Sequence, residues 1–197
     1  MVAAARYESQ ADPDQRVYFR GLTWKELELI LAIRGDAAVP RIHFLEGALE
    51  LMNPSSSHEE LKERIGRLVE CFAEVTGLIL ESFGSWTLKD APTERGAEPD
   101  KSYIVGPDKD RPDLAIEVDW TSGGLDKLAI YLGLAVREVW FWRKGRIEVH
   151  VLQGGAYALA AQSAVLPGLD LDLLSAHLDH LSQTEAVRAF RSAIRGQ

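Results

Sequence analysis

The stretch EPDKSYIVGPDKDRPDLAIEVDWTSGGLDK, residues 98–127, predicts two short strands followed by a helix. Its apolar runs, residues 103–105 and 114–116, are each bounded by Pro or Gly and lie next to carboxylates. A Ser-Gly-Gly turn then leads into a helical pattern that has Lys127 near its start. Acidic side chains at the ends of core strands are costly to bury unless they are paired or bind a cation.

The sequence before this stretch predicts a helix, a hairpin and a longer helix. Thr23 and Glu26 form the pattern of a capping box for a helix that ends near Arg34. Two apolar runs on either side of residues 46–47 favour a β-hairpin. Residues 58–76 have a helical apolar stripe, with a serine to cap the helix and Gly77 to end it. Residues 93–98 read as a loop after two short strand candidates.

The sequence after the central stretch predicts a helix over residues 126–134 and then three strands. Residues 136–142 and 146–152 are strand-like, and a third short strand lies near Tyr157, which together form a meander. Residues 172–195 read as two helices. The pattern as a whole predicts an α/β fold with a mixed β-sheet flanked by α-helices. We expect a flexible N-terminal arm over residues 1–18, one domain over 19–170, and C-terminal helices over 171–197 packed on that domain.

Composition narrows the functional classes. The net charge of −8 argues against a broad basic surface for nucleic acid, although a small basic groove is compatible with it. Cys71 is the one cysteine, so no intramolecular disulfide can form, and its apolar neighbours favour a buried thiol. No signal-peptide pattern and no stretch long enough to cross a membrane is present, so we predict a cytoplasmic protein without membrane contact.

Asp100 and Glu117 would lie on adjacent strands, where the two carboxylates could bind one metal ion together. Mg²⁺ takes oxygen ligands, often only one or two carboxylates, and a backbone carbonyl near Val118 could add a third oxygen. A nearby lysine would orient a water or stabilise developing charge during phosphodiester cleavage. The alternative is that both carboxylates are solvated strand ends, because Pro-Asp pairs are common and this chain has four.

Six short motifs follow one another along roughly residues 20–160. They are the hairpin turn at 46–47, Met-Asn-Pro-Ser at 52–55 with His58 after it, Pro-Asp at 99–100, Ile-Glu-Val at 116–118, Lys127 with Tyr131, and Val-Arg-Glu-Val-Trp-Phe-Trp at 136–142. In this order, the motifs resemble the Uma2 family of restriction-endonuclease-like proteins, within the PD-(D/E)XK nuclease superfamily.

This resemblance implies a restriction-endonuclease-like core and a site for Mg²⁺, or Mn²⁺, held by Asp100, Glu117 and Val118. Asp100, Glu117 and Lys127 would be the catalytic residues. The superfamily's lysine normally follows the glutamate by two residues, where this chain has Asp119. Lys127, four residues before Tyr131, matches the family's alternative lysine on the following helix. Asp119 is then an extra ligand or, as we favour, a polar strand end.

The resemblance also bears on three further positions. His58 follows the family's Pro-Ser segment and lies near the site, or it serves only as a surface or capping residue. Glu59, from the same helical turn, is a weaker candidate for the site. Gly123 stands where the family often has an aspartate, with Asp126 close by, which leaves the start of the helix open.

Other polar and aromatic positions favour structural roles. His43 alternates with apolar residues and reads as a strand-face residue rather than a ligand. Trp140 and Trp142 share a strand face, which favours a place in the core over a role in base stacking. Trp120 lies just after the strand that carries Glu117, and for this residue base stacking is still an open interpretation.

Three functions remain open from the sequence. The first is a Mg²⁺-dependent endonuclease acting on DNA. The second is a catalytically inactive interaction protein that keeps the fold, and the third is a hydrolase of another phosphate ester. A homodimer is a further possibility, with residues 139–142 or the C-terminal helices as the interface.

Overall fold

The structure, a computed structural model, describes residues 13–84, 86–107, 109–119 and 124–196. These parts of the chain form two β-sheets and five helices, which confirms the predicted mixed α/β class. The helices are α1 (Trp24–Arg34), α2 (Ser56–Thr76), α3 (Lys127–Gly133), α4 (Leu171–Ala176) and α5 (Gln183–Arg195). The strands are β1 (Gln15–Arg20), β2 (Arg41–Leu45), β3 (Ala48–Asn53), β4 (Leu80–Phe83), β5 (Leu88–Asp90), β6 (Arg95–Ala97), β7 (Lys101–Val105), β8 (Leu114–Val118), β9 (Glu138–Arg143), β10 (Arg146–Gln153) and β11 (Ala156–Ala160).

The first sheet has the strand order β1-β3-β2-β6-β5, and all its pairs are antiparallel. The predicted hairpin is β2–β3. Glu46 and Gly47 form its two-residue turn with φ of 46° and 83°, as a turn that matches the twist of the strands requires. A side chain at Gly47 would also approach the Leu22 carbonyl oxygen to 3.1 Å, so the position favours glycine.

The second sheet has the order β11-β10-β9-β8-β7-β4. Its β9–β10–β11 meander is as predicted. The β8–β9 pair is parallel, while the other pairs of this sheet are antiparallel. A parallel pair needs a crossover connection, and α3 lies within it. The start of α3 is thereby brought back toward the end of β8.

The side chains of β8 alternate between two buried layers. Leu114, Ile116 and Val118 pack in one core with apolar residues of α2 and the C-terminal helices. Ala115 packs on the opposite face with Ile130 and Tyr131 of α3. Glu117 shares this second face, so the alternation of the strand points a carboxylate into the interior between the two sheets.

Glu138, at the start of β9, connects the C-terminal part of the chain to the second sheet through hydrogen bonds. Its fully buried carboxylate accepts hydrogen bonds from Trp140 Nε1 and Ser163 Oγ, and from the backbone amides of Ala164 and Val165. The hydrogen bonds from these four donors offset the free-energy cost of burying the carboxylate. The segment that leads into α4 is therefore held by a polar anchor as well as by apolar packing.

The structure corrects several expectations about local structure. Residues 15–18, expected to lie in a flexible arm, belong to β1, which pairs along its length with β3. Residues 95–97, expected in a loop, form β6 between β2 and β5. The two short strand candidates before residue 93 correspond to β4 and β5, which lie in different sheets, β4 in the second and β5 in the first.

The aromatic strand β9 lies inside the molecule. Trp140 and Trp142 are in the core, as predicted, and residues 139–142 are all buried. The suggestion that residues 139–142 supply a dimer interface is therefore wrong. Cys71 is buried, also as predicted. Within the described ranges, no helix has the length and apolar character needed to cross a membrane.

Candidate active site

Strand register places Asp100 and Glu117 side by side. In the antiparallel β7–β8 pair, Lys101 is opposite Ile116, so the preceding Asp100 lies opposite Glu117. Side chains of opposed residues project from the same face of a sheet. Both carboxylates are almost completely buried, with 1% of Asp100 and none of Glu117 exposed. The predicted proximity of these two acids thus follows from strand pairing.

Asp100 is surrounded by donors from three parts of the chain. Its Oδ2 accepts a 2.8 Å hydrogen bond from the Val118 amide and lies 2.9 Å from Nε2 of His58. Its Oδ1 lies 2.8 Å from Nη1 of Arg41, although no well-directed hydrogen bond reaches this oxygen in the described structure. His58 is fully buried in the first turn of α2, so of its two interpretations the structure favours proximity to the site.

Glu117 is held mainly by α3. Lys127, the first residue of α3, places Nζ 2.5 Å from Glu117 Oε2. Tyr131, one turn later, donates its hydroxyl to Oε1 of the same carboxylate. Asp126 caps the helix through the Ala129 amide, which fixes the direction in which Lys127 leaves the backbone. The spacing of Lys127 and Tyr131 therefore serves to hold both oxygens of one carboxylate.

The charges of this cluster stabilise one another. Burial would raise the pKa of Asp100, but His58 and Arg41 hold that pKa well below its usual value. Burial likewise opposes ionisation of Glu117, and the Lys127 ammonium nevertheless lowers its pKa. Burial would lower the pKa of Lys127, yet Glu117 and Asp100 raise it. At neutral pH both carboxylates and the lysine are consequently charged.

His58 is also charged. Burial would lower its pKa, but Asp100 on one side and Asp14 on the other outweigh that effect and raise the pKa to about 9. Asp14 reaches His58 Nδ1 at 3.0 Å and accepts a 2.9 Å hydrogen bond from the Ser55 amide, the residue that caps α2. The imidazolium is thus clamped between two carboxylates.

The structure adds residues to the cluster that sequence reasoning did not assign to it. His43 is buried between two acids, with Nε2 3.5 Å from Glu117 Oε1 and Nδ1 3.8 Å from Glu50 Oε1. Arg16 on β1 lies 3.6 Å from Glu50. The alternation that identified His43 as a strand-face residue was correct, but it could not tell that this face carries charges. In the sequence, the indication that this face carries charges was Glu50, an acidic residue at an inward-facing position of β3.

Two of the predicted near-site residues lie at the margin. Asp119 pairs with Arg143 of β9 at 2.7 Å, which supports the polar strand end rather than an additional ligand. Glu59 is 40% exposed and pairs with Arg41 and Lys62. Trp120 and Gly123 lie outside the described residues.

A divalent metal would find two ligands here rather than a complete set. Among the side chains that the structure describes, no three of His, Cys, Asp and Glu are grouped to hold a metal ion. Asp100 and Glu117 nevertheless match the one or two carboxylates with which proteins commonly bind Mg²⁺. Asp100 Oδ1, buried and without a well-directed donor, is available as a ligand atom. The donor set therefore fits Mg²⁺, with water supplying the remaining positions.

A groove of about 870 Å³ opens beside the cluster. Its lining includes Arg41, Ser55, Glu59 and Lys62. Arg41 belongs both to this lining and to the surroundings of Asp100, so its guanidinium links the groove to the buried cluster.

Comparisons with known proteins give matches to solved structures and to a family. One of the structural matches is a crystal structure from Anabaena variabilis titled "putative nuclease belonging to DUF820", with 14% sequence identity, a TM-score of 0.49, and coverage of 77% of this chain and 92% of that one. No curated protein matches the chain. The sequence profile of Uma2, described as "Putative restriction endonuclease", matches residues 24–180, which include Asp100, Glu117 and Lys127. The chain therefore belongs to the Uma2 family.

Proposed function

We propose that this chain is a metal-dependent endonuclease that hydrolyses phosphodiester bonds in DNA. The observation that supports this most directly is the buried pair of ionised carboxylates, Asp100 and Glu117, with the Lys127 ammonium in contact with Glu117, in a chain of the Uma2 family. Asp100, Glu117 and the Val118 carbonyl would hold Mg²⁺, with Mn²⁺ as a substitute. The bound metal would neutralise charge on the phosphate and activate a water as the nucleophile.

Lys127 would act as a fixed positive charge. Its pKa is raised by Glu117 and Asp100, so it keeps its proton at neutral pH and is unsuited to the role of general base. A preorganised cation near the phosphate stabilises the charge that develops in the transition state. Tyr131 would prevent Glu117 from rotating, because it binds the carboxylate oxygen that Lys127 leaves free.

His58 and Arg41 would position Asp100. Both contact its carboxylate from outside the β7–β8 pair, His58 from α2 and Arg41 from β2. Because these contacts come from separate elements, the orientation of Asp100 depends on the packing of the two sheets and α2. We assign them positioning roles in the proposed reaction.

The experiment is a calorimetric titration of Mg²⁺ or Mn²⁺ into wild type and Asp100→Ala, with plasmid nicking measured on the same samples. We expect wild type to bind metal and nick DNA, and the variant to lose both. Metal binding with hydrolysis of a small phosphodiester but no nicking would replace DNA with another phosphate ester. Absence of metal binding by wild type would overturn the proposal.

An inactive interaction protein is the second candidate, and one observation favours it. Asp100 and Glu117 are both buried and already neutralised by cations of the protein itself. Such a network would persist without any metal. An absence of metal-dependent heat, together with partner binding that survives Asp100→Ala, would favour this alternative.

A further inference from the structure

The groove beside the candidate active site is lined by two cationic side chains that contact the same carboxylate. Arg41 donates from Nη2 to Glu59 Oε1 at 2.9 Å, and Lys62 donates to Glu59 Oε2 at 2.5 Å. Lys62 has a second, longer contact of 3.5 Å with Glu63. Glu59 thus bridges two cations that line the same groove.

The exposure of the three side chains differs in a way that matters. The Arg41 and Lys62 side chains are 3% and 10% exposed, whereas the Glu59 side chain is 40% exposed. The two cations are therefore largely buried, whereas the anion between them faces solvent. Arg41 Nε in addition has no hydrogen-bond partner among the described residues, although it is buried. Arg41 therefore has donor capacity that Glu59 does not use.

We propose that Arg41 and Lys62 form a binding site for a phosphate group of a single nucleic-acid strand, and that Glu59 occupies this site until the strand displaces it. Carboxylate and phosphate oxygens accept the same charge-assisted hydrogen bonds, so one can substitute for the other. Ser55, the cap of α2, also lines the groove, and the positive end of this 21-residue helix favours an anion there. This inference rests on the proposed function. It adds a contact that the nucleic-acid strand makes with the protein outside the reacting centre.

The size and charge of the surface favour one strand over a duplex. A volume of about 870 Å³ is in the range of sites that enclose a small ligand. With a net charge of −8, the chain is poorly suited to neutralise the phosphates of two strands at once. A strand placed along the groove would approach Asp100, because Arg41 contacts both the groove and that carboxylate.

The test is a fluorescence-anisotropy titration of the full chain with a labelled single-stranded oligodeoxynucleotide in EDTA, and with the matching duplex. Glu59→Gln removes the competing anion, and Lys62→Gln removes one of the cations. Glu28→Gln and Lys89→Gln are matched controls, because Lys89 pairs with Glu28 at 2.8 Å on an exposed surface outside the groove. Arg41 is left unchanged, since its loss would remove one of the two buried cations beside Asp100.

We expect Glu59→Gln to bind the single strand at least about threefold more tightly than wild type, and Lys62→Gln at least about threefold more weakly. The slope of log affinity against log salt should fall by about 0.7 in Lys62→Gln, the value for one phosphate of a single strand. The two control variants should stay close to wild type at physiological salt, because screening limits distant charges.

Three results would overturn this binding site. They are equal affinities for Glu59→Gln and Glu28→Gln, no binding of the single strand by wild type and Glu59→Gln alike, or an effect of the substitutions on the duplex only. Plasmid nicking with Mg²⁺ is measured separately. Shifted affinities without nicking would support the binding site and reject the endonuclease, whereas nicking with unchanged affinities would do the reverse.

Discussion

Glu117 and Lys127 show how each buried charge of the candidate active site depends on a particular partner. Glu117 has no exposed surface, and the ammonium of Lys127 lies 2.5 Å from it. A buried ion pair adds little net stability compared with an apolar pair, but removal of one member leaves the other uncompensated. Function and stability should therefore respond differently to single and paired substitutions.

We predict that Lys127→Met lowers the free energy of unfolding by about 3–5 kcal/mol and abolishes nicking. The physical reason is that Glu117 would remain buried with Tyr131 and His43 but without its cation. Urea denaturation and plasmid nicking measure the two effects. The double variant Lys127→Met/Glu117→Gln should recover most of the stability and none of the activity. A double variant as unstable as Lys127→Met would contradict the ion-pair explanation.

His58 should make stability depend on pH. Its pKa is about 6.5 in an unfolded chain and about 9 in the folded protein, so the folded state binds more protons between these values. The contribution is complete below about pH 6.5 and is lost as pH rises through about 9, by at most about 3 kcal/mol. Urea midpoints across this range should fall, and His58→Gln should fall less steeply. Equal slopes for the two proteins would contradict the assignment.

The sequence was informative about single residues where motif spacing applied, and less so elsewhere. Glu117, Lys127 and Tyr131 lie close enough in the chain for one strand and one helical turn to bring them together. Asp14 belongs to a polar segment without periodicity, and only the pairing of β1 with β3 carries it to His58. Contacts of this kind depend on long-range pairing, which local pattern does not specify.

At the scale of elements, β1 connects the N-terminal segment to the site. It lies outside the residues that match the Uma2 profile, and yet Arg16 on β1 and Asp14 just before it contact Glu50 and His58. The first sheet thus contributes charges to a site whose two central carboxylates belong to the second sheet.

We predict that Asp14→Ala destabilises the protein by about 1–3 kcal/mol, because the Ser55 amide and the buried His58 lose an acceptor. Asp14→Asn should cost less, since its amide oxygen can still accept from Ser55. Thermal unfolding of the two variants beside wild type measures the difference. If Asp14→Asn were the less stable of the two, the hydrogen bond to Ser55 would not be the relevant contact.

Elements with strong local signals were predictable, and short strands were not. Thr23 and Glu26 form the predicted capping box of α1, and Gly77 ends α2 with φ of 74°. Strand β6 has only three residues, one of them a glycine, and forms because β2 and β5 pair with it from both sides. Its conformation is imposed by neighbours rather than by its own residues.

At the scale of the whole molecule, the net charge of −8 limits how the protein can hold a nucleic acid. The cations of the site are largely paired with buried acids, and only Arg41, which contacts buried Asp100, and Lys62 are the phosphate contacts we assign at the groove. Affinity would then come from few phosphates, and the ions released on binding would be correspondingly few.

We predict a shallow salt dependence of DNA binding, with a slope of about −1 to −2 in log affinity against log salt. Anisotropy titrations of wild type at several potassium chloride concentrations give the slope directly. A slope of about −5 or steeper would indicate a broad basic footprint. Such a result would contradict the few-contact mode of binding while leaving the cleavage chemistry untouched.

The anchor at Glu138 has a consequence for how the chain responds to being cut. The turn at Gly154 and Gly155 between β10 and β11 is exposed, and it precedes the segment that Glu138 binds. A protease that opened this turn would leave β11, α4 and α5 attached through the three hydrogen bonds from residues 163–165 to Glu138 and through a shared core. The nicked protein would migrate as a single particle under native conditions and separate into two fragments only on denaturation.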